Sequence, residues 1–280
     1  MNASNDYKDL WKYYNHALIP ATAPHIPVDG HAVKSKWKNK KTFLIRWTTD
    51  FDCKYPNEWY FCIKDTPFDI QDLKSKQRYE ITKGRKNFEI KEIAPEAYIN
   101  EIFFIQKESF ANYPKEYRPE IKYENIEREV KEEWKNKIVF AAFEKESNKM
   151  VSYCVFERHE DYIEWSVLKS IPQYERLKVN AAIICESLEY FNEDIKKGKY
   201  IHGGEKNISH QTNFQDYLEK LFGFRKAYCK LHIIYRPSVH LIVVFLYPFR
   251  KVLKKMKGRI FHNINSVLYM EKIVREQGGN

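Results

Sequence analysis

Residues 199–235 read KYIHGGEKNISHQTNFQDYLEKLFGFRKAYCKLHIIY, and this stretch decides the fold. A short extended run ends at Gly203-Gly204, a pair typical of a turn or of a close backbone approach. Asn213 can cap a helix that Gly223 ends. The apolar residues of this helix recur at i, i+3, i+4 and i+7, namely Phe214, Tyr217, Leu218 and Leu221. The alternation over residues 224–235 then predicts one long strand.

Apolar periodicity upstream predicts further helices and strands. From residue 97 the order is helix, charged helix, hairpin, strand and long helix, at residues 97–110, 121–137, 138–143 with 150–157, 162–168 and 174–194. Earlier in the chain, strands are predicted at residues 43–47, 58–64 and 88–93, and a basic helix at residues 73–87. This mixture of helices and strands predicts an α/β (mixed α+β) protein.

The element order resembles that of the GNAT acyltransferases, and specifically their FemAB-like branch. The likeness covers roughly residues 87–235 and includes the helix that ends in Gly223-Phe224. It implies a GNAT fold with a central mixed, splayed sheet flanked by helices. It also implies three segments: a degenerate GNAT-like half at residues 1–86, a GNAT-like acyltransferase domain at 87–237, and basic amphipathic helices at 238–280.

The resemblance further implies a site for an acyl-CoA donor at the start of the helix that follows the fourth GNAT strand. Free backbone N–H groups and the positive end of the helix dipole can hold a pyrophosphate there. The family's glycine-rich run is absent, so basic side chains are expected to supply charge instead. The residues expected at the donor are Leu168, Lys169, Arg176, Lys178, Val179, Asn180 and Asn213. Acetyl-CoA, or another acyl-CoA, is the expected co-substrate, without a metal.

Acyl transfer to an amine needs a base for the attacking ammonium and a donor for the leaving thiolate. The resemblance makes Glu164 the candidate base, with an ordinary solvent-facing strand residue as the alternative. His202, Glu205 and His210 flank the predicted Gly-Gly turn, where the central strands splay in this fold, and a plain surface turn is the alternative. Glu219 occupies the position of the tyrosine that commonly serves as the acid, while the nearby Tyr217 is expected to pack.

The formal net charge of +10 is concentrated near the end of the sequence. Residues 250–280 contain eight basic and two acidic side chains, and no nucleic-acid-binding motif accompanies them. A basic amphipathic helix over residues 239–257 fits an anionic membrane surface. A helix docked on the protein's own sheet, with a solvated cationic back, is the alternative.

The cysteines and the hydropathy of the sequence indicate the cellular compartment in which the protein is expected. The five cysteines form an odd set without CxxC pairs, which favours buried thiols in a reducing environment. The N-terminus lacks the apolar core of a signal peptide. The longest apolar run, residues 241–247, is far shorter than the roughly 20 residues that span a bilayer. We therefore expect a cytoplasmic protein, with peripheral contact to the inner membrane face left open.

The sequence favours an N-acyltransferase that uses acetyl-CoA and modifies an amino group of a sugar or glycan precursor. The acceptor follows from the likeness to acyltransferases associated with surface polysaccharide biosynthesis. Two alternatives stay open: a FemAB-type aminoacyl transferase that uses aminoacyl-tRNA, and a catalytically inactive GNAT-fold protein that binds or scaffolds at a membrane. Nucleic acid is an expected partner only in the tRNA alternative. Motifs of P-loop, zinc-protease, serine-hydrolase and dinucleotide-binding enzymes are absent from the sequence.

Overall fold

The computed structural model describes residues 10–33, 42–113, 118–208 and 213–277. The strands are β1 Trp11–Tyr14, β2 Ala17–Pro20, β3 Leu44–Thr49, β4 Tyr60–Lys64, β5 Phe88–Glu92, β6 Ile138–Glu144, β7 Met150–Arg158, β8 Tyr162–Ser170, β9 Tyr200–Glu205, β10 Arg225–Tyr228 and β11 Lys230–Tyr235. The α-helices are α1 Ser75–Asn87, α2 Ile99–Glu108, α3 Tyr123–Arg128, α4 Val179–Lys196, α5 Phe214–Phe222, α6 Pro237–Leu246, α7 Arg250–Leu253 and α8 Arg259–Gln277.

The strands form two mixed sheets. The first has the order β1-β2-β3-β11, with β2 and β3 parallel and the other pairs antiparallel. The second has the order β10-β4-β9-β8-β7-β6-β5, antiparallel from β5 to β8 and parallel between β8 and β9. Helix α4 packs on β5, β6 and β7, and α2 packs on β7 and β8. The predicted mixed fold with sheets flanked by helices is thereby confirmed.

The chain divides into two compact units. One comprises Met1–Cys62, Glu205–Thr212 and Lys226–Asn280, and the other comprises Ile63–Gly204 and Asn213–Arg225. The segments proposed from the sequence, with boundaries after residues 86 and 237, follow chain order rather than compactness, and they stay a prediction.

The core of the second unit follows from the apolar patterns of β7 and α4. The first seven residues of β7 are buried, as expected of a strand that is covered on both faces. The ring of Phe156 packs against the rings of Phe140, Trp165 and Phe191. Apolar residues at helical spacing predict a stripe along the long helix at Leu177, Ala181, Ile184, Leu188 and Phe191, and the last four, which lie in α4, are buried. This core holds β8, which carries the candidate base, against β7.

Three local predictions are wrong. Gly203-Gly204 does not end the strand, because β9 continues to Glu205 and only Gly204 takes a positive φ, of 97°. Residues 224–235 form two strands, which separate at Cys229 and enter different sheets. Ser266 can cap a helix and so predicts a short last helix that runs through Glu276, but the last helix begins at Arg259, and the Ser266 hydroxyl donates to the His262 carbonyl inside it.

The start of α4 also differs from the prediction. A 3₁₀ helix, Pro172–Leu177, precedes it, and the two are separated by Lys178, whose φ of 67° lies in the left-handed region. The long helix therefore begins at Val179 rather than at Tyr174. A left-handed residue breaks the α-helical hydrogen-bond pattern, so the two helices cannot be continuous.

A half-buried histidine that contacts the core of the first unit should make stability depend on pH. The ring of His232 stacks on Trp47 with 5.1 Å between centroids, and its Nε2 lies 2.8 Å from the Thr49 hydroxyl. Burial lowers the pKa of His232 below its ordinary value.

We expect the free energy of unfolding to fall as the pH drops from the ordinary histidine pKa, about 6.5, toward the lower pKa of folded His232. In that window the unfolded chain binds the proton and the folded chain does not, so acid favours unfolding. His232→Gln should remove this contribution, and His240→Gln, at an exposed position, is the control. Urea midpoints at pH 7.5 and 5.5 measure the effect; equal pH dependence in wild type and His232→Gln would contradict it.

Candidate active site

The parallel strands β8 and β9 part soon after they begin. They pair at three positions, Tyr162 with Tyr200, Ile163 with Ile201 and Glu164 with His202. Beyond these positions β8 continues to Ser170 and stays paired with β7 on its other side. The two strands therefore diverge directly after Glu164 and His202, which confirms the predicted splay of the central sheet.

A β-bulge explains the divergence. Phe156 of β7 opposes Trp165, but Val155, which directly precedes Phe156, opposes Val167. One step along β7 therefore corresponds to two steps along β8, and Ser166 is the extra residue. A bulge bends its strand and increases the local twist. Because Ser166 lies two residues after Glu164, the bend falls where pairing with β9 ends.

Three ionisable side chains lie side by side across β7, β8 and β9. Glu157 opposes Glu164, and Glu164 in turn neighbours His202. Residues paired in this way point to the same face of a sheet, and all three are half-buried. The structure thus brings together Glu164 and His202, two of the predicted catalytic residues, at the apex of the splay.

A histidine in the β7–β8 turn joins this row. His159 Nε2 lies 3.8 Å from a carboxylate oxygen of Glu157 and 3.8 Å from one of Glu164. The imidazole stacks on Tyr162 with 4.3 Å between centroids. On the far side of the row, the Lys137 ammonium lies 3.4 Å from the second oxygen of Glu157.

Sequence reasoning missed Glu157 and His159. The sequence does indicate a short turn between β7 and β8. Such a turn brings the end of β7 close to the start of β8, so residues near the end of β7 could have been predicted to lie beside Glu164. The ligand atoms of Glu157, His159 and Glu164 lie within 4.8 Å of one another. The Lys137 ammonium, next to Glu157, supplies a positive charge to this cluster of carboxylates.

The charges around Glu157, Glu164 and His202 suit a side chain that accepts a proton. Burial, together with the charges of Glu164 and Glu157, raises the pKa of Tyr162 to about 12, so its phenol is neutral at physiological pH. Two carboxylates beside a neutral phenol attract a cation, and an ammonium acceptor is one. A carboxylate at the apex can then take its proton when the amine becomes the nucleophile.

The other two predicted catalytic residues are not part of this row as described. Glu205 forms an ion pair with Arg46 inside the first unit, and the Arg46 guanidinium lies 5.2 Å from the ring centroid of Trp59. The Glu205 carboxylate is therefore held by a half-buried cation. His210 lies outside the described residues.

The predicted donor residues have mixed surroundings. The Lys169 ammonium lies 4.3 Å from the ring centroid of Phe110, and burial lowers the pKa of this lysine. The Lys178 ammonium forms an ion pair of 3.1 Å with Glu80. Arg176 is exposed. Of the three predicted cations, Arg176 is thus the most accessible.

The remaining donor residues surround the start of α4 and α5. Val179 is fully buried, and Asn180 accepts a hydrogen bond of 2.6 Å from the Ser170 hydroxyl. Leu168 lies in β8 beyond the splay, and Asn213 precedes α5 without a side-chain cap. The first turn of α4 contains no acidic side chain, so the positive end of its dipole is not offset there.

No family model matches this chain, and a search of curated proteins finds none that is similar. Among solved structures, the chain is similar to the C-terminal domain of a protein provisionally assigned as a lysylphosphatidylglycerol synthetase from Agrobacterium fabrum, with a TM-score of 0.53 and 7% identity over 84% of this chain and 82% of that one. It is also similar to FemX, with a TM-score of 0.50 and 10% identity over 76% of this chain and 77% of that one. At these identities the likeness shows a shared fold, in agreement with the architecture expected from the sequence.

Proposed function

We propose that this protein is an N-acyltransferase that moves an acyl group from acetyl-CoA, or another acyl-CoA, to an amino group of a sugar or glycan precursor. The observation that carries the proposal is the splay of β8 and β9 directly beyond Glu164 and His202. Past the bulge, the edge of β8 that faces away from β7 offers backbone donors and acceptors to an extended ligand. An acyl group held along that edge would reach the apex of the splay.

In the proposed reaction Glu164 takes a proton from the acceptor ammonium. The amine nitrogen then attacks the thioester carbonyl, the new C–N bond forms and the C–S bond breaks. The second proton of the former ammonium passes from the nitrogen to the leaving thiolate, so coenzyme A leaves as the thiol. His202, adjacent to Glu164, is proposed to relay the proton, and His159 and Glu157 to orient the base. Glu205 and His210 follow as the remaining catalytic candidates.

The donor pyrophosphate is proposed to lie at the start of α4. The backbone N–H groups of Val179 and Asn180 and the unopposed helix dipole favour an anion there. Arg176 and Lys178 add positive charge. Leu168, Lys169 and Asn213 complete the proposed donor site, along β8 and before α5.

Two other functions compete with this proposal. The first is an aminoacyl transferase that uses aminoacyl-tRNA; the absent glycine-rich run favours it, as does the fold shared with a domain whose name denotes an aminoacylated lipid. The second is an inactive GNAT-fold protein that binds or scaffolds at a membrane. The ion pair between Lys178 and Glu80 favours the inactive protein, because it reduces the positive charge that is available to a pyrophosphate.

We place the protein in the cytoplasm, peripheral to the inner membrane face, with an anionic membrane surface at residues 239–257 as a partner. The five cysteines are free and four are buried, which suits a reducing compartment. Burial raises the pKa of Cys154 to about 12, so its thiol is protonated and unreactive. Within the described segments, none of the helices combines the length and apolar character that a bilayer span requires.

A thermal-shift titration with acetyl-CoA tests the donor. The ligand should raise the melting temperature, because a molecule that binds only the folded state stabilises it, by about 2.7 kcal/mol at a hundredfold excess over Kd. Arg176→Glu combined with Lys178→Glu should weaken binding by roughly 10–100-fold, since charge-assisted contacts to phosphate are lost.

The matched control reverses Lys196 and Lys197, two exposed lysines at the other end of α4 and just beyond it. This pair should leave the affinity unchanged. No thermal shift of the wild type at millimolar acetyl-CoA would favour the tRNA-dependent transferase or the scaffold. Equal weakening in both double variants would place the pyrophosphate elsewhere.

A further inference from the structure

Helix α6 is apolar on almost every side and yet lies at the surface. It reads PSVHLIVVFL, and among its residues, all of which the structure describes, only Val243 is buried. Leu241 is 71% exposed, Phe245 70% and Ile242 55%. A helix that is hydrophobic all round normally lies in apolar surroundings, so a further partner is expected on the open side.

The apolar surface continues beyond α6. Helices α6 and α7 both pack against α8, and exposed apolar side chains recur along all three. We call these the α6–α8 apolar surface: Leu241, Ile242, Val244, Phe245, Phe249, Val252, Met256 and Ile260. A monomeric protein rarely exposes so many large apolar residues together, and such a cluster commonly marks an interaction site.

Positive charge borders this surface. The sequence has no acidic residue between Arg236 and Met270. Arg250 and the exposed lysines of α7 and the turn after it, Lys251, Lys254, Lys255 and Lys257, lie within this stretch. The four lysines form no ion pair with any residue that the structure describes. The border is thus cationic and available to an anionic partner.

The three helices have a firm base in the first unit. Leu268 and Ile273 of α8 are buried, and α8 packs on β11. The Asn265 side-chain amide donates a 3.0 Å hydrogen bond to the Leu253 carbonyl, which ties α7 to α8. Docking on the protein's own sheet, the alternative considered from the sequence, therefore accounts for the inner side of α8 but leaves the α6–α8 apolar surface uncovered.

We infer that the α6–α8 apolar surface docks into the interface of an anionic lipid bilayer. Leu241, Ile242 and Phe245 enter the boundary between headgroups and acyl chains, and the bordering lysines contact anionic headgroups. Apolar insertion and charge attraction together are the two signals that stable peripheral binding needs. A second copy of the chain fits less well, because two such surfaces would bring their cationic borders together. The inference rests on the anionic membrane partner proposed above for residues 239–257 and names the side chains that contact it, whereas it does not depend on acyl transfer.

Vesicle flotation tests the inference without measuring turnover. The full chain should float with vesicles of phosphatidylcholine and phosphatidylglycerol, and much less with phosphatidylcholine alone. Rising salt should weaken the binding, because surface charges are screened. Leu241→Gln with Phe245→Gln should lower the partition coefficient about tenfold or more, while Tyr79→Gln, at a position 64% exposed in α1, should not change it.

The contribution of positive charge to vesicle binding is tested by two variants, each with three lysines changed. Changing Lys254, Lys255 and Lys257 to Gln should lower binding to the anionic vesicles about tenfold or more. The same change at Lys86, Lys196 and Lys197, all exposed, should have little effect. Absence of wild-type binding, or full binding by the Leu241/Phe245 variant, would overturn the inference. A dimer in sedimentation that this variant dissociates would assign the surface to a second copy instead.

Discussion

Replacing Glu164 with Gln should lower the turnover of acyl transfer by about 100-fold or more, the range usual for loss of a general base. The amide keeps the shape of the side chain but cannot accept the proton of the acceptor ammonium. Glu164 lies at the apex of the splay, paired with His202 and 3.8 Å from His159. The donor Kd should stay unchanged, because the proposed pyrophosphate contacts lie at the start of α4.

Steady-state kinetics and a donor titration together measure this effect. Glu160→Gln is the control, because Glu160 lies in the same hairpin but is exposed. His202→Asn tests the proposed relay and should lower turnover without changing the Kd of the donor. If Glu164→Gln and His202→Asn both turn over like the wild type, the chemistry lies elsewhere, and Glu205 and His210 become the next residues to test.

Replacing Gly84 with Val should destabilise the fold by about 3 kcal/mol, the upper end for overpacking a tight contact. Gly84 lies in α1, which packs on α4. A Cβ there would lie 2.5 Å from the carbonyl oxygen of Lys178 and 2.9 Å from the Cβ of Ala182. The oxygen belongs to the backbone just before α4, so it cannot rotate away as a side chain could.

Urea unfolding of both variants measures this effect. Lys86→Val is the matched control, because Lys86 is exposed in the same helix. Its free energy of unfolding should fall only by the difference in helix propensity between Lys and Val, a few tenths of a kcal/mol. Equal stability of the two variants would show that α1 and α4 can separate without cost. If Gly84→Val also weakens acetyl-CoA binding, the start of α4 has moved with Lys178.

The family resemblance predicts Glu164 and His202 near the splay, and the strand register places them side by side. The remainder of the row could not be read from the sequence in the same way. Glu157 and His159 approach Glu164 only because the β7–β8 hairpin folds back on itself. The bulge at Ser166 left no signal, since an extra residue in a strand does not change its composition.

The sequence by itself determined the elements whose signals are local. Strands β6, β7 and β8 follow from apolar runs, the α4 stripe from its period, and the end of α5 from Gly223, which adopts a φ of 67°. These features depend on backbone sterics and on the burial of one face, so a short window contains the information.

Only the tertiary structure decided which strands pair and which surfaces stay open. Residues 224–235 alternate in the same way throughout, yet β10 joins one sheet and β11 the other. Helix α6 has the composition of a core helix, yet most of it is exposed. The physical reason is that pairing and burial depend on partners far away along the chain. An apolar pattern predicts only that a segment needs an apolar partner. Which segment becomes that partner depends on the packing of the whole chain.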